Sequence, residues 1–136
     1  MTDIPKIYTD GSCILIPGTT TTGGRGGWAF TVIENGEQWS CCGCEANTTN
    51  NRMELTAVIE ALNFIQGNEY EIYTDSQLTM NCASGKWKRK ANLDLWEKYD
   101  MNSKNVKIIW KWVKAHNGCV YNEFVDTLAK SEAYSL

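Results

Sequence analysis

Asp10 ends the run Lys-Ile-Tyr-Thr-Asp, and Asp75 ends Glu-Ile-Tyr-Thr-Asp, so the same approach leads twice to a carboxylate. Two more acids fall near the starts of apolar-striped segments. Glu54 follows Thr-Asn-Asn-Arg-Met, and Asp126 lies inside Asn-Glu-Phe-Val-Asp-Thr-Leu-Ala. If the runs carrying Asp10 and Asp75 are adjacent parallel strands, their carboxylates end side by side. Bare carboxylates in contact repel, and one protonates unless a cation holds both. Oxygen ligands suit a hard divalent ion, with Mg²⁺ the first choice. Each acid alone has a plainer reading. Asp10 before Gly-Ser is ordinary turn chemistry, and Asp75 before Ser76 can cap a helix. Glu54 near a helix start suits the macrodipole, and Asp126 can be a solvated helical residue.

The elements that must position these acids follow from hydrophobic periodicity. Residues 4–10 read as a strand running into a polar turn, and 18–27, rich in glycine and threonine, as a surface loop. Residues 27–45 read as two strands around Asn35-Gly36, the strongest short hairpin signal. Residues 50–68 hold the clearest helix, with Leu55, Val58, Ile59, Leu62 and Ile65 on one stripe. Thr49 or Asn50 can cap its start and Gly67-Asn68 its end, which puts Glu54 in its first turn. A fourth strand follows at 70–75, a helical segment opened by Asp75 or Ser76, a helix over 92–101, a strand over 106–113 and a last helix over 122–134.

Three antiparallel strands followed by alternating helix and strand predict an α/β fold: a five-stranded mixed sheet flanked by helices, with right-handed crossovers in its parallel part. No interdomain linker is visible, so residues 1–136 are expected to form one domain. The Ile-Tyr-Thr-Asp match extends to neither side and does not imply a duplicated unit. Ligand sites in such sheets gather beyond the carboxyl ends of strands, where all four acids are expected.

A net charge of -3 and a pI near 5.1 argue weakly against a general nucleic-acid binder, although a carboxylate cluster holding cations reverses that locally. No apolar run approaches the roughly 20 residues that span a bilayer, and the N-terminus Met-Thr-Asp-Ile-Pro-Lys lacks the pattern of a secretory signal. A cytoplasmic protein with reduced thiols is therefore expected. The six cysteines, Cys13, Cys41, Cys42, Cys44, Cys82 and Cys119, include the cluster Cys-Cys-Gly-Cys. With one histidine and no second cysteine pair at zinc spacing, packing as small hydrophobes is the better reading.

Four blocks, Tyr-Thr-Asp-Gly-Ser-Cys, Thr-Asn-Asn-Arg-Met-Glu-Leu, Tyr-Thr-Asp-Ser-Gln and Trp-Val-Lys-Ala-His-Asn-Gly with Asn-Glu-Phe-Val-Asp-Thr-Leu-Ala, resemble type 1 ribonuclease H in order and spacing, from about residue 5 to about residue 131. The resemblance implies the ribonuclease H-like fold. It further implies endonucleolytic hydrolysis of the RNA strand of an RNA–DNA hybrid by a two-metal mechanism, leaving 5′-phosphate and 3′-hydroxyl ends. By matched motif Asp10, Glu54, Asp75 and Asp126 become ligands of two Mg²⁺ ions, for which Mn²⁺ substitutes. Asp10 bridges the ions, Glu54 and Asp75 lie on the leaving-group side and Asp126 on the water side. His116 matches a mobile histidine that assists proton transfer or product departure, work suited to a pKa near 6.5. Glu123 matches an acid that assists turnover, with a first-turn helix acid as the competing reading.

The same resemblance makes Asn50, Asn51 and Gln77 groove or 2′-hydroxyl contacts, and brings the Cys13 segment to the RNA backbone. Thr49 belongs to a DNA-phosphate pocket to which Arg52 adds charge. Little base specificity is expected of such contacts. Lys86, Trp87, Lys88, Arg89 and Lys90 set four cations around an aromatic, which on a nucleic-acid enzyme points to the DNA strand. Two departures stand out. About twenty residues separate Asp75 from Trp96, so most of the family's basic protrusion is missing. Ile16 stands where an asparagine is expected. A standalone monomer is expected. The rivals are a non-catalytic nucleic-acid module on the same fold, which would lack an acid, and another metal-dependent nuclease of the superfamily, which would lack the hybrid-reading blocks.

Overall fold

The recurrence of Ile-Tyr-Thr has a spatial counterpart. In a computed structural model describing residues 4–14, 24–115 and 117–135, strand β1 (Lys6–Ile14) pairs in parallel with β4 (Glu69–Thr74), Ile7 opposite Ile72 and Tyr8 opposite Tyr73. Continuing that register sets Asp10 opposite Asp75. The aligned rings of Tyr8 and Tyr73 stack at 4.4 Å.

On its other side β1 pairs antiparallel with β2 (Gly24–Glu34), which turns at Asn35-Gly36 into β3 (Glu37–Thr48). Both turn residues have positive φ, 53° and 81°, as a tight hairpin of this type requires. β5 (Lys107–Trp112) adds in parallel beside β4, and the sheet order is β3-β2-β1-β4-β5. The helices are α1 (Asn50–Phe64), α2 (Gln77–Ala83), α3 (Leu93–Ser103) and α4 (Val120–Tyr134). Among the described residues no helix is long and apolar enough to cross a membrane.

Strand alternation divides the interior in two. Ile7, Ile72 and Phe30 face a core shared with Leu55, Val58 and Leu62 of α1 and Trp96 and Tyr99 of α3. Tyr8 and Ala29 face the other way, onto Val125 and Ala129 of α4. Asp10 has the parity of Tyr8, whereas Glu54 comes from the opposite layer.

Several boundaries move. β1 does not end at Asp10. It runs on to Ile14 because β2 continues to pair with it, while the described β1–β4 pairs end at Tyr8 and Tyr73. Gly24–Gly27, expected in a loop, are strand, and the glycines there admit close neighbours: a Cβ on Gly27 would lie 2.0 Å from the Ala129 carbonyl oxygen. The rest of that loop, 18–23, and Ile16 lie outside the described residues. Helix α1 stops at Phe64, with Ile65 extended, so Gly67-Asn68 is not its cap. Glu54 is consequently the fifth residue of α1, beyond its first turn.

Gly11 sets how closely α1 approaches β1. A Cβ there would fall 2.3 Å from the Glu54 nitrogen and 2.3 Å from the Met53 carbonyl carbon, both backbone atoms with no rotamer to relieve the clash. Gly11→Ala is expected to push α1 off the strand and destabilise the protein by about 1–3 kcal/mol, the usual range for overpacking. Thermal unfolding measures this, and an unchanged midpoint would show that the approach is not tight.

Candidate active site

Three of the four expected acids converge. Ligand oxygens of Asp10, Glu54 and Asp75 all lie within 4.8 Å of one another. Asp10 is 2% exposed, and Glu54 and Asp75 are half-buried. The backbone N–H of Gly11 donates to Asp10 Oδ1 at 2.9 Å. Asp10 Oδ2 and Glu54 Oε2, both buried, meet no donor. Asp126, on α4, is not one of these three, but it lies close enough to Asp10 to raise that carboxyl. Its Oδ2 pairs with Lys130 at 3.1 Å.

Crowding and burial set the protonation. Burial, then the charge of Asp75, then the nearby Asp126 push the Asp10 carboxyl up to about 8. Glu54 is raised well above the ordinary carboxylate range by burial first and by the charges of Asp10 and Asp75 next. An acceptor left unpaired in such a site costs about 1–3 kcal/mol. The orphaned oxygens and the all-oxygen donor set fit one kind of occupant, a hard divalent cation. Capping does not account for the two acids at helix starts: Ser76, not Asp75, caps α2, its Oγ accepting from the Thr79 N–H at 3.1 Å. Thr49 caps α1, its Oγ1 accepting from the Arg52 N–H at 3.3 Å.

Around the acids lie the expected hybrid contacts. Asn50, Asn51 and Gln77 are exposed in the opening turns of α1 and α2, and Thr49 precedes them on the surface. Cys13, half-buried in β1, donates its thiol to the Thr48 carbonyl at 3.3 Å, and burial pushes that thiol up. Glu123 is exposed in the first turn of α4 and is not one of the converging acids. His116 lies outside the described residues.

Two expected cations are occupied. Arg52 forks onto Asp94 at 3.0 and 2.8 Å and donates to Asn92 Oδ1 at 3.2 Å, tying α1 to α3. Arg89 forks onto Asp100 at 2.9 and 2.8 Å, donates to the Cys82 carbonyl at 3.2 Å and lies 4.3 Å over the Trp96 ring. Lys86, Lys88, Lys90 and Trp87 remain exposed or half-exposed, Trp87 at 48%. A cavity of about 150 Å³ between α1, α2 and the start of α3 is rimmed by Asn51, Lys88, Lys90 and Asn92 and floored by Leu55 and Trp96. Sequence reasoning passed over Asn92, whose left-handed backbone (φ 57°) places its side chain against Arg52. It also passed over Asn122, a buried amide one turn before Asp126. The i, i+4 spacing from Asp126 was the available signal.

The cysteine cluster sits on β3. Cys42 donates its thiol to Glu132 at 3.0 Å, and burial and that carboxylate push it up to about 11, which keeps it protonated.

Fold and acids together define a cluster of carboxylates, able to hold a metal ion, at the carboxyl end of a mixed sheet. Residues 4–134 match the RNase H family, and the chain belongs to that family. A ribonuclease HI of Campylobacter jejuni is 43% identical over 141 residues, covering 96% of this chain and 92% of its own. The fold matches LC9-RNase H1, a type 1 RNase H with the type 2 active-site motif, at TM-score 0.80 and 28% identity, over 99% of this chain and 74% of the other. LC11-RNase H1, solved in complex with an RNA/DNA hybrid, shares the fold at TM-score 0.77 and 19% identity, covering 96% of this chain and 97% of its own. Among family members, then, this is an RNase HI-type ribonuclease H.

The protonation state yields a prediction. A carboxyl whose folded pKa is raised favours the folded state while protonated and loses that advantage as pH rises from the ordinary value near 4 to about 8. Without divalent ions, thermal stability should therefore fall across that window. Asp10→Asn, which cannot ionise, should melt higher than wild type at pH 8 by about 3 °C or more. Equal midpoints at pH 8 would contradict the clustered-charge account.

Proposed function

We propose that the chain is an endonuclease hydrolysing the RNA strand of RNA–DNA hybrids, with two divalent cations held by Asp10, Glu54, Asp75 and Asp126. The observation that carries this is the convergence of Asp10, Glu54 and Asp75, with Asp10 Oδ2 and Glu54 Oε2 buried where no protein donor reaches them. Mg²⁺ is the expected ion and Mn²⁺ a substitute. When bound, such ions supply an activated water and stabilise the leaving 3′-oxygen, giving 5′-phosphate and 3′-hydroxyl ends.

Asp10, buried and central, bridges the two positions. Glu54 and Asp75 serve the leaving-group side, and Asp126, delivered by the other layer, serves the water side. His116 and Glu123, which precede Asp126 in the chain, assist proton transfer and product departure.

Substrate choice rests on polar groups at the helix starts. Asn50, Asn51 and Gln77 meet the hybrid groove and its 2′-hydroxyls, the feature that distinguishes RNA from DNA. The Cys13 segment follows the RNA backbone. Thr49 faces the DNA phosphate, with Arg52 contributing charge while anchored on Asp94. On the basic segment, Lys86, Lys88 and Lys90 attract the DNA backbone and Trp87 offers a stacking surface, while Arg89 acts by holding the segment on Trp96. The reading extends to one domain over residues 1–136, acting as a monomer in a cytoplasm where its thiols stay free, as all six are.

Hybrid RNA should be cut in Mg²⁺ or Mn²⁺ while single-stranded RNA and duplex DNA survive, with Asp10→Asn binding hybrid but not cutting it. Equal cutting of all three substrates would overturn the reading. Replacing Lys86, Lys88 and Lys90 by alanine should weaken hybrid binding and reduce the log–log salt slope by about 0.9 for each phosphate that a lysine no longer neutralises. Arg89→Ala should chiefly lower stability. An unchanged slope in the triple variant would make the lysines mere surface.

A further inference from the structure

Asn122 is 2% exposed, and its carboxamide oxygen meets no protein donor. The neighbours of its helical turn locate it. Tyr121 lies 5.2 Å from the Tyr8 ring, Cys119 packs beside Tyr8 and Tyr73, and Asp126, one turn on, is close enough to Asp10 to raise its carboxyl. Val125 and Ala129, three and seven residues on, continue the buried stripe of α4 against the sheet. The first turn of α4 therefore lies over β1 and β4 where Asp10 and Asp75 emerge, with Asn122 on its inner side.

A buried amide oxygen without a donor disfavours folding, and leucine, of similar volume, would fill the position without that penalty. The polar groups gathered nearby are carboxylates, which accept and cannot donate once a bound cation has displaced their protons. A donor that satisfies Asn122 and also suits the acids is a water molecule, which offers two protons.

We propose that Asn122 is a positioning residue: its carboxamide oxygen accepts a hydrogen bond from the water on the Asp126 side of the cluster and fixes that water's orientation. The proposal rests on the hydrolytic reading above and adds to it a residue that is neither an ion ligand nor a substrate contact. Asp126 and Asn122, one turn apart on a rigid helix, then hold the same water from two directions.

Two variants test it, by unfolding of the ion-free protein, Mg²⁺ titration calorimetry and steady-state kinetics on a hybrid. Asn122→Leu removes the acceptor at similar volume. It should melt no lower than wild type and keep the hybrid KM, while kcat falls about 10- to 100-fold, the range for loss of an outer-sphere partner. Asn122→Asp keeps an acceptor in place, and should recover most of the kcat that Asn122→Leu forfeits and bind Mg²⁺ at least as tightly as wild type. A lower melting point for Asn122→Leu with kcat unchanged would make Asn122 a structural residue and overturn the proposal. Equal loss of kcat in both variants would also overturn it, because the acceptor would then be irrelevant. Should Asn122→Leu not fold, Asn122→Asp decides alone: wild-type-like kcat supports the proposal, and a loss of about 10-fold or more overturns it. Failure of wild type to cut hybrid would strike the hydrolytic reading, which the kinetics on unsubstituted protein reveal separately.

Discussion

Mutual repulsion among Asp10, Glu54 and Asp75 is the constraint from which the rest of the structure takes its meaning. Carboxylates within a few ångströms and largely out of water cannot all stay ionised. The free protein answers by protonation: burial first, and the charge of Asp75 next, raise Asp10 to about 8. A divalent cation answers better, since it supplies the charge that the protein withholds. The fold brings the acids together regardless. Parallel pairing of β1 and β4 aligns Asp10 with Asp75, and the absent Cβ of Gly11 lets α1 come close enough for Glu54 to join them.

This division of labour explains the arrangement of the chain around the acids. Two cores, one on each face of the sheet, fix α1 and α4 against β1 independently. The site is thus held on rigid elements, as precise chemistry requires. Arg52 and Arg89 are occupied in fastening α3, which follows the short basic segment directly. Lys86, Lys88 and Lys90 stay exposed beside Trp87, apart from these ion pairs.

Much of this was legible in the residues. Ile-Tyr-Thr-Asp at 7–10 and 72–75 pointed to the two acids and the strands that deliver them, because alternation and terminal position follow directly from β geometry. Asn35-Gly36 marked the hairpin. What escaped has physical reasons. The continuation of β1 past Asp10 depends on pairing with β2, a tertiary fact that local turn chemistry at Gly11-Ser12 conceals. Gly24–Gly27 read as loop by composition, yet are strand, where Gly26 and Gly27 leave the space that Met53 of α1 and Ala129 of α4 take. Arg52 and Arg89 looked like free charges until the fold brought Asp94 and Asp100 to them. Asn122 carried no motif of its own, and only its burial without a donor singles it out.

The central claim, that crowded acids hold protons in place of cations, is tested most directly by Mg²⁺ titration calorimetry in buffers of different ionisation enthalpy. At pH 7 the account predicts that binding displaces about one proton or more from the acid cluster, with the release fading as pH rises well above 8. Mg²⁺ binding with no proton release at pH 7 would contradict it.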